Sequence, residues 1–471
     1  SQSALYGSEA IAGVIDITTA RAEAPGFRGR ARAEAGSFES YSGTVSLTQR
    51  TERGQLSFNA DRTTTEGISA RSGDDEEDGF QQSFATLTGD FEVSDTLTLG
   101  FSALWRDAEL EIDRSAADNS GETFREEAGA RAYAQLDAFG IAHELSYSAF
   151  SSDRRDPGGF VTEFLGDRRE VSYVGTGELG ATILSFGADW TEESVESGSV
   201  AADDVTASVF GEAVLRPTDR LDLALSLRHD DSDDFGGQTT GRLALAWQAA
   251  PDTTLRAVAG TGFRAPSLFE RFSAFGDPEL EPEESRSFEL GLERRFGAES
   301  FVKATAFYTE IDELIEFDPA SAACGSGFGC YAQVAGTTTT SGLELSGRYA
   351  LAGGRAALFG AYTFTEAEGE DGRLPRGPRH DLVLGVEGRI AARLTGRLDV
   401  RHVADVEPSE FAPADSKVGD YTLANLGLDY ALTDRVDATI RVENLTDEDY
   451  ETAGGFNRPG RAAYVGLSAS F

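Results

Sequence analysis

The chain has 471 residues, 40% of them hydrophobic, and 81 acidic side chains against 41 basic ones give it a formal net charge of −40. Such a surface makes nucleic acid a poor partner, because that binding relies on cations displacing counterions from phosphates. No apolar run of about 18 residues occurs, which excludes a helical membrane span, and no linker or Pro-rich tract marks the domain split expected of a soluble chain this long.

Methionine is absent, so the sequence reads as a mature or truncated chain, and the lack of a leader is no argument against export. From Gly26 onward apolar and polar residues alternate, first over 28–34, 42–49 and 55–62, then over 82–91 and 96–106. Period-two alternation gives a strand one apolar and one polar face. Further segments are 130–138, 143–151, 170–178, 182–192, 207–215 and 220–230. In the last of these Leu221, Leu223, Leu225 and Leu227 share one face, with Asp222, Ser226 and Arg228 on the other. The second half supplies 239–247, 254–262, 286–295, 300–310, 341–350 and 356–365. It ends with 381–390, 394–403, 421–431, 436–445 and 462–471. That is about 22 strands, an even number, as a single-chain bacterial barrel requires.

The connections alternate as well. Tight turns such as Val93-Ser94-Asp95-Thr96, Pro217-Thr218-Asp219-Arg220 and Leu432-Thr433-Asp434-Arg435 take turns with long stretches at 63–79, 107–129, 265–285 and 311–340. Short turns at one rim and long loops at the other indicate an all-β, antiparallel transmembrane barrel. Unpaired backbone in hydrocarbon is too costly for an open sheet, so the strands must form a ring. A ring of about 22 strands is too wide for side chains to fill and calls for a plug. The last strand puts Ala463, Val465, Leu467, Ala469 and Phe471 on one face and ends on an aromatic suited to a membrane interface.

Cys324 and Cys330 flank a Gly-rich run with no histidine near, too few ligands for zinc; a local disulfide formed in an oxidising compartment is the expectation. Closing so short a loop stabilises by roughly 2 kcal/mol. The run Asp74-Asp75-Glu76-Glu77-Asp78 reads either as a solvated loop or as a divalent-cation site. Gly175-Thr176-Gly177-Glu178-Leu179-Gly180 has dinucleotide-fingerprint spacing but lies at a strand hairpin without a following helix. The four histidines, His143, His229, His380 and His402, are scattered, and no nucleophile–base pair supports catalysis.

Three motifs carry a family resemblance. Residues 1–19, with Leu5-Tyr6-Gly7 and Gly13-Val14-Ile15-Asp16-Ile17-Thr18-Thr19, resemble the final plug segment of TonB-dependent outer-membrane receptors. Gly262-Phe263-Arg264-Ala265-Pro266-Ser267-Leu268-Phe269-Glu270 followed by Asp277-Pro278-Glu279-Leu280-Glu281-Pro282-Glu283 is similar to a barrel signature of the same family. So is Val442-Glu443-Asn444-Leu445-Thr446-Asp447-Glu448-Asp449-Tyr450 before the closing strand.

The resemblance implies the C-terminal end of a plug domain at 1–24 and a receptor barrel at 25–471, in the outer membrane of a Gram-negative bacterium. It implies a monomeric barrel among outer-membrane lipids and uptake energised by the TonB complex acting through a plug N-terminal box outside this sequence. Among such receptors the chain is most similar to the cobalamin-transporting subfamily; a ferric-siderophore receptor is the alternative, and a passive pore is an alternative of another class. Heme is disfavoured, since 267–276 contains no histidine to ligate iron. The subfamily's calcium loops correspond to Asp74, Glu76 and Asp78 with Asp156 and Asp167, although Ser69 stands where the family has an aspartate. Its ligand contacts correspond to Thr240 and Arg376. No catalytic residue or catalytic cofactor is implied.

Overall fold

The computed structural model describes residues 2–471 except 12, 16, 18–20, 115–118, 160, 199, 322, 323, 328, 352, 371, 410, 411, 414 and 415. A four-residue helix α1 (Ser3–Tyr6) and a 3-10 turn at Ser8–Ala10 precede the first strand. The wall then begins with β1 (Gly26–Gly36), β2 (Ser40–Arg50), β3 (Gly54–Thr65), β4 (Phe80–Glu92), β5 (Leu97–Ile112) and β6 (Gly121–Ala138). It continues with β7 (Ile141–Arg155), β8 (Glu163–Leu179), β9 (Thr182–Ser197), β10 (Val200–Thr218), β11 (Leu221–Ser232), β12 (Gly236–Ala250) and β13 (Thr253–Arg264). A short helix α2 (Leu268–Phe272) interrupts the loop to β14 (Glu283–Arg295), which is followed by β15 (Phe301–Asp312).

Two short strands, β16 (Ile315–Asp318) and β17 (Cys330–Gln333), form a separate ribbon in the next loop. The wall resumes with β18 (Thr337–Leu351) and β19 (Ala356–Gly369); β20 (Gly372–Arg373) is a flap on the end of β19. It is completed by β21 (Pro378–Ala391), β22 (Leu394–Val406), β23 (Tyr421–Ala431) and β24 (Val436–Glu443), a second ribbon of β25 (Glu451–Ala453) and β26 (Phe456–Asn457), and β27 (Ala462–Ser470).

Each long strand pairs antiparallel with its sequence neighbours, and β27 pairs with both β24 and β1, placing Ala33 opposite Leu467 across the seam. The result is a closed antiparallel barrel of 22 strands, with every predicted strand present. Register sets the faces. Leu225 and Leu227 on β11 and Leu243 on β12 are exposed on the outer, lipid-facing side, while Ser226, Arg228, Asp230 and Thr240 are buried on the inner side. All four histidines share the outward parity. Each Nδ1 lies 2.8 or 2.9 Å from a hydroxyl on the adjacent strand, in the pairs His143–Tyr173, His229–Thr239, His380–Tyr362 and His402–Thr422.

The strands run further into the long loops than the alternation indicates. The expected loop at 107–129 is largely paired, with Asp107 opposite Glu126 and Leu110 opposite Thr123. Above the lipid the outer face meets water, so the apolar signal fades while ladder hydrogen bonds continue. On the inner side, α1 lies against β10, β11, β12 and β13.

Candidate ligand-binding vestibule

The loop at 265–282 is built by the signature that precedes it. Ser267 caps α2 by accepting from Glu270 N at 3.2 Å, and the Glu270 carboxylate accepts from Ser267 N at 2.7 Å, a complete capping box. Arg264 donates to Glu270 at 3.0 Å and to Glu283 at 2.5 Å, and the nearly buried Glu283 also accepts from Ile315 N at 2.9 Å. One guanidinium thus fixes the helix, the start of β14 and the ribbon after β15. Arg271 reaches Asp234 on the opposite hairpin at 3.0 Å. Burial raises the Asp234 pKa, and the Arg271 charge counteracts that rise.

The ribbon folds over this loop. A disulfide joins Cys324 and Cys330, and Cys330 is fully buried. Tyr331 N donates to Phe275 O at 2.8 Å, and the Phe164, Phe269, Tyr331, Phe317 and Phe275 rings follow one another at centroid spacings of 6.2, 6.2, 5.5 and 6.0 Å. Aromatic pairs at such separations add to the burial of their surfaces.

Beneath lies a cavity of about 460 Å³ between the start of the chain, β7 to β11 and the α2 loop. Its floor is Tyr6, Gly7 and Ser8, with Tyr6 58% exposed. Its lining includes five acidic residues, Asp167, Glu193, Asp204, Asp230 and Asp234, against two guanidiniums, Arg168 and Arg228. Both guanidiniums are already paired, Arg168 with Glu193 at 2.5 Å and Arg228 with Asp189 and Asp230, each at 2.8 Å. The vestibule is therefore net acidic. Asp167 belongs to this lining, in β8, and not to the cluster formed by other acids of the anticipated calcium set.

Of that set the structure brings Asp74 and Glu76 together, and it adds Asp113, which the sequence reading did not single out: one carboxylate oxygen from each lies within 4.8 Å of the others. Asn119 donates to Asp74 at 3.0 Å and to Glu76 at 2.7 Å. Glu76 Oε1 and both oxygens of Asp113 have no hydrogen-bond partner among the described residues. A hydrogen bond between Asp74 and Glu76 lowers the pKa of Asp74 and raises that of Glu76, as when two crowded carboxylates share a proton. This donor set of hard oxygens suits calcium. Asp78 instead accepts from Ala70 N at 2.7 Å, and Asp156 is held by Arg114 at 2.6 Å. No spacing rule links Asp113 to 74–76, because a different hairpin carries it there.

Thr240 and Arg376 lie in different settings. Thr240 is 3% exposed, opposite Arg228 in register on the inner wall where α1 packs. Its side chain is therefore covered in this structure. Arg376 is exposed in a turn with φ of 67°; its amide donates to Glu407 O at 2.7 Å, and its guanidinium has no partner among the described residues. The third signature is a loop clasp: Asn444, with φ of 46° and 4% exposed, donates to Glu448 O at 2.8 Å and accepts from Glu448 N at 2.8 Å. Residues 1, 12, 16, 18 and 19 of the first motif lie outside the described residues.

A closed 22-strand barrel with long polar loops over an inner cavity is the architecture of a ligand-capturing outer-membrane protein. The TonB dependent receptor-like β-barrel family matches residues 25–445, and the chain belongs to that family. It is accordingly a non-enzymatic receptor and transporter of the Gram-negative outer membrane. The vitamin B12 transporter BtuB of Photobacterium profundum is 27% identical over 503 residues, spanning 100% of this chain and 78% of that protein. BtuB of Vibrio cholerae is 26% identical over 298 residues, covering 60% of this chain and 46% of its own length. The siderophore receptor PirA of Pseudomonas aeruginosa superposes with a TM-score of 0.79 at 18% identity, covering 99% of this chain and 84% of that one. A mutant ferric enterobactin receptor PfeA of the same species, in complex with enterobactin, gives 0.82 at 19% identity, covering 99% and 84%.

Proposed function

We propose that the protein imports cobalamin. Residues 1–24 end a plug and residues 25–471 form the barrel, with uptake driven by the TonB complex. The observation that carries the ligand reading is the acidic vestibule without a free cation among the described residues. A ferric tris-catecholate is trianionic, and carboxylates around a partly desolvated cavity repel it. Cyanocobalamin is neutral and meets no such penalty, and its bulk calls for the wide loops and aromatic surface seen here. The names of the curated relatives support the same reading. Asp74, Glu76 and Asp113 are proposed to hold calcium, which would order two extracellular loops before ligand arrives, and Arg376 is the accessible candidate contact.

The test is equilibrium binding of radiolabelled cyanocobalamin and of ferric enterobactin to the full-length receptor in outer-membrane vesicles, with calcium present and with chelator. Saturable cyanocobalamin binding that weakens in chelator is the expected result. Binding of the ferric catecholate alone would refute the cobalamin assignment.

A further inference from the structure

Arg228 is among the most buried charged residues of the inner wall, at 6% exposure. Its Nε donates to Asp230 and one Nη to Asp189, each at 2.8 Å, and Phe210 lies under the guanidinium at 5.4 Å. Asp230 also accepts from Ser208 Oγ at 2.7 Å. The same Nη of Arg228 that meets Asp189 reaches Leu5 O, the backbone of α1, at 3.2 Å. Gly7 then turns with φ of 79°, and a Cβ there would sit 3.3 Å from Arg228 Nη2. One residue further, Ser8 Oγ accepts from Ala265 N at 2.7 Å, tying the segment to the α2 loop as well. Ser3, Ala4 and Ala10 are buried at 0%, 1% and 2%.

A cation already paired with two carboxylates has no need of the carbonyl, yet it donates a further hydrogen bond to it. That carbonyl lies in a helix too short to hold itself in place, since so few residues leave most end groups unpaired. The wall holds the helix. We propose that Arg228 is a positioning residue for transport: it tethers Ser3–Ala10 to the barrel wall and so presents Tyr6 as the floor of the vestibule. The tether rests on geometry alone; its consequence for affinity rests on the cobalamin reading.

The experiment uses the full-length receptor in lipid vesicles and three variants. Arg228→Gln removes the tether, and Gly7→Ala strains the positive-φ turn and crowds the Arg228 guanidinium while leaving the wall charges intact. The triple change Arg228→Gln, Asp189→Asn, Asp230→Asn neutralises the wall cluster. Hydrogen exchange of amides 5–10 is expected to rise at least about tenfold in all three, with strand amides and heat-modifiable electrophoretic mobility unchanged. Cyanocobalamin Kd is expected to rise about tenfold with site number per barrel unchanged. Exchange within twofold of wild type in Gly7→Ala and in the triple variant overturns the tether, whatever Arg228→Gln does to folding. Faster exchange with unaltered Kd overturns the floor-presenting role. If the wild type binds no cyanocobalamin, the ligand reading fails and the exchange result alone decides the tether.

Discussion

Arg264 and Glu283 stand 2.5 Å apart, the last residue of β13 against the first of β14. The pair closes the loop that forms the roof of the vestibule, and Glu270 on α2 shares the same guanidinium. Replacing Arg264 with Gln would leave Glu283 buried without a counter-charge. We predict a loss of roughly 3 kcal/mol in local stability, read as faster hydrogen exchange across 265–282 with the rest of the wall unaffected. Arg264→Lys keeps the charge but not the fork and should fall between. Unchanged exchange in Arg264→Gln would refute this account of the signature.

Ser267 supplies one half of the capping box. Ser267→Ala should cost about 1 kcal/mol, smaller than the Arg264 change because the ion pairs survive. The same exchange measurement ranks the two variants, and the reverse order would mean that the cap, not the guanidinium, holds the roof.

The Asp74–Glu76 pair makes a pH prediction. The raised Glu76 pKa stabilises the loop below its ordinary carboxylate range and loses that contribution as pH rises through the raised value. A cation bound there competes with protons for the same carboxylates, so calcium affinity should climb with pH through the raised Glu76 value, and binding there should release protons. Calorimetry in buffers of different ionisation enthalpy measures the release. Asp113→Asn should weaken binding, and equal affinity in that variant would remove Asp113 from the set.

Glu451 makes the opposite one. Burial raises its pKa, but hydrogen bonds from Gly455 N, Lys417 N and Ser416 outweigh burial and leave it lowered. Its stabilisation is present above the ordinary carboxylate pKa and is lost as pH falls through the lowered value. Protection of the Lys417 and Gly455 amides should therefore disappear under acid before that of the strands. Glu451→Gln should show weak protection already at neutral pH.

Reduction of the Cys324–Cys330 disulfide should free the ribbon of β16 and β17 at a cost of roughly 2 kcal/mol. Tyr331 and Phe317 would then lose part of their stacking on the α2 loop. Iodide quenching of a tryptophan introduced at Phe317 would report it: increased quenching after reduction is expected, and unchanged quenching would place the ribbon's stability in its aromatic contacts alone.

Much of the wall was legible because a lipid-facing strand must present an apolar residue at every second position, as Leu221, Leu223, Leu225 and Leu227 do. Where strands leave the lipid that constraint ends, so Asp107 and Glu126 look like loop residues and yet pair. The histidines appeared scattered along the chain, and only register shows all four facing outward. Thr240 was anticipated as a contact by correspondence, but register places it opposite Arg228 on the wall behind α1.

The sequence by itself determined the barrel, its strand number and the side that carries the long loops, since periodicity and connection length are local properties that membrane physics makes obligatory. Only the tertiary structure decided which charges meet. Asp113 joins Asp74 and Glu76 from another hairpin, Arg264 spans to Glu283, and Arg228 reaches back to Leu5 across most of the first half of the chain. Ion pairs and clustered carboxylates depend on distances of a few ångströms through space, and strand closure sets those distances without leaving any spacing in the sequence to read.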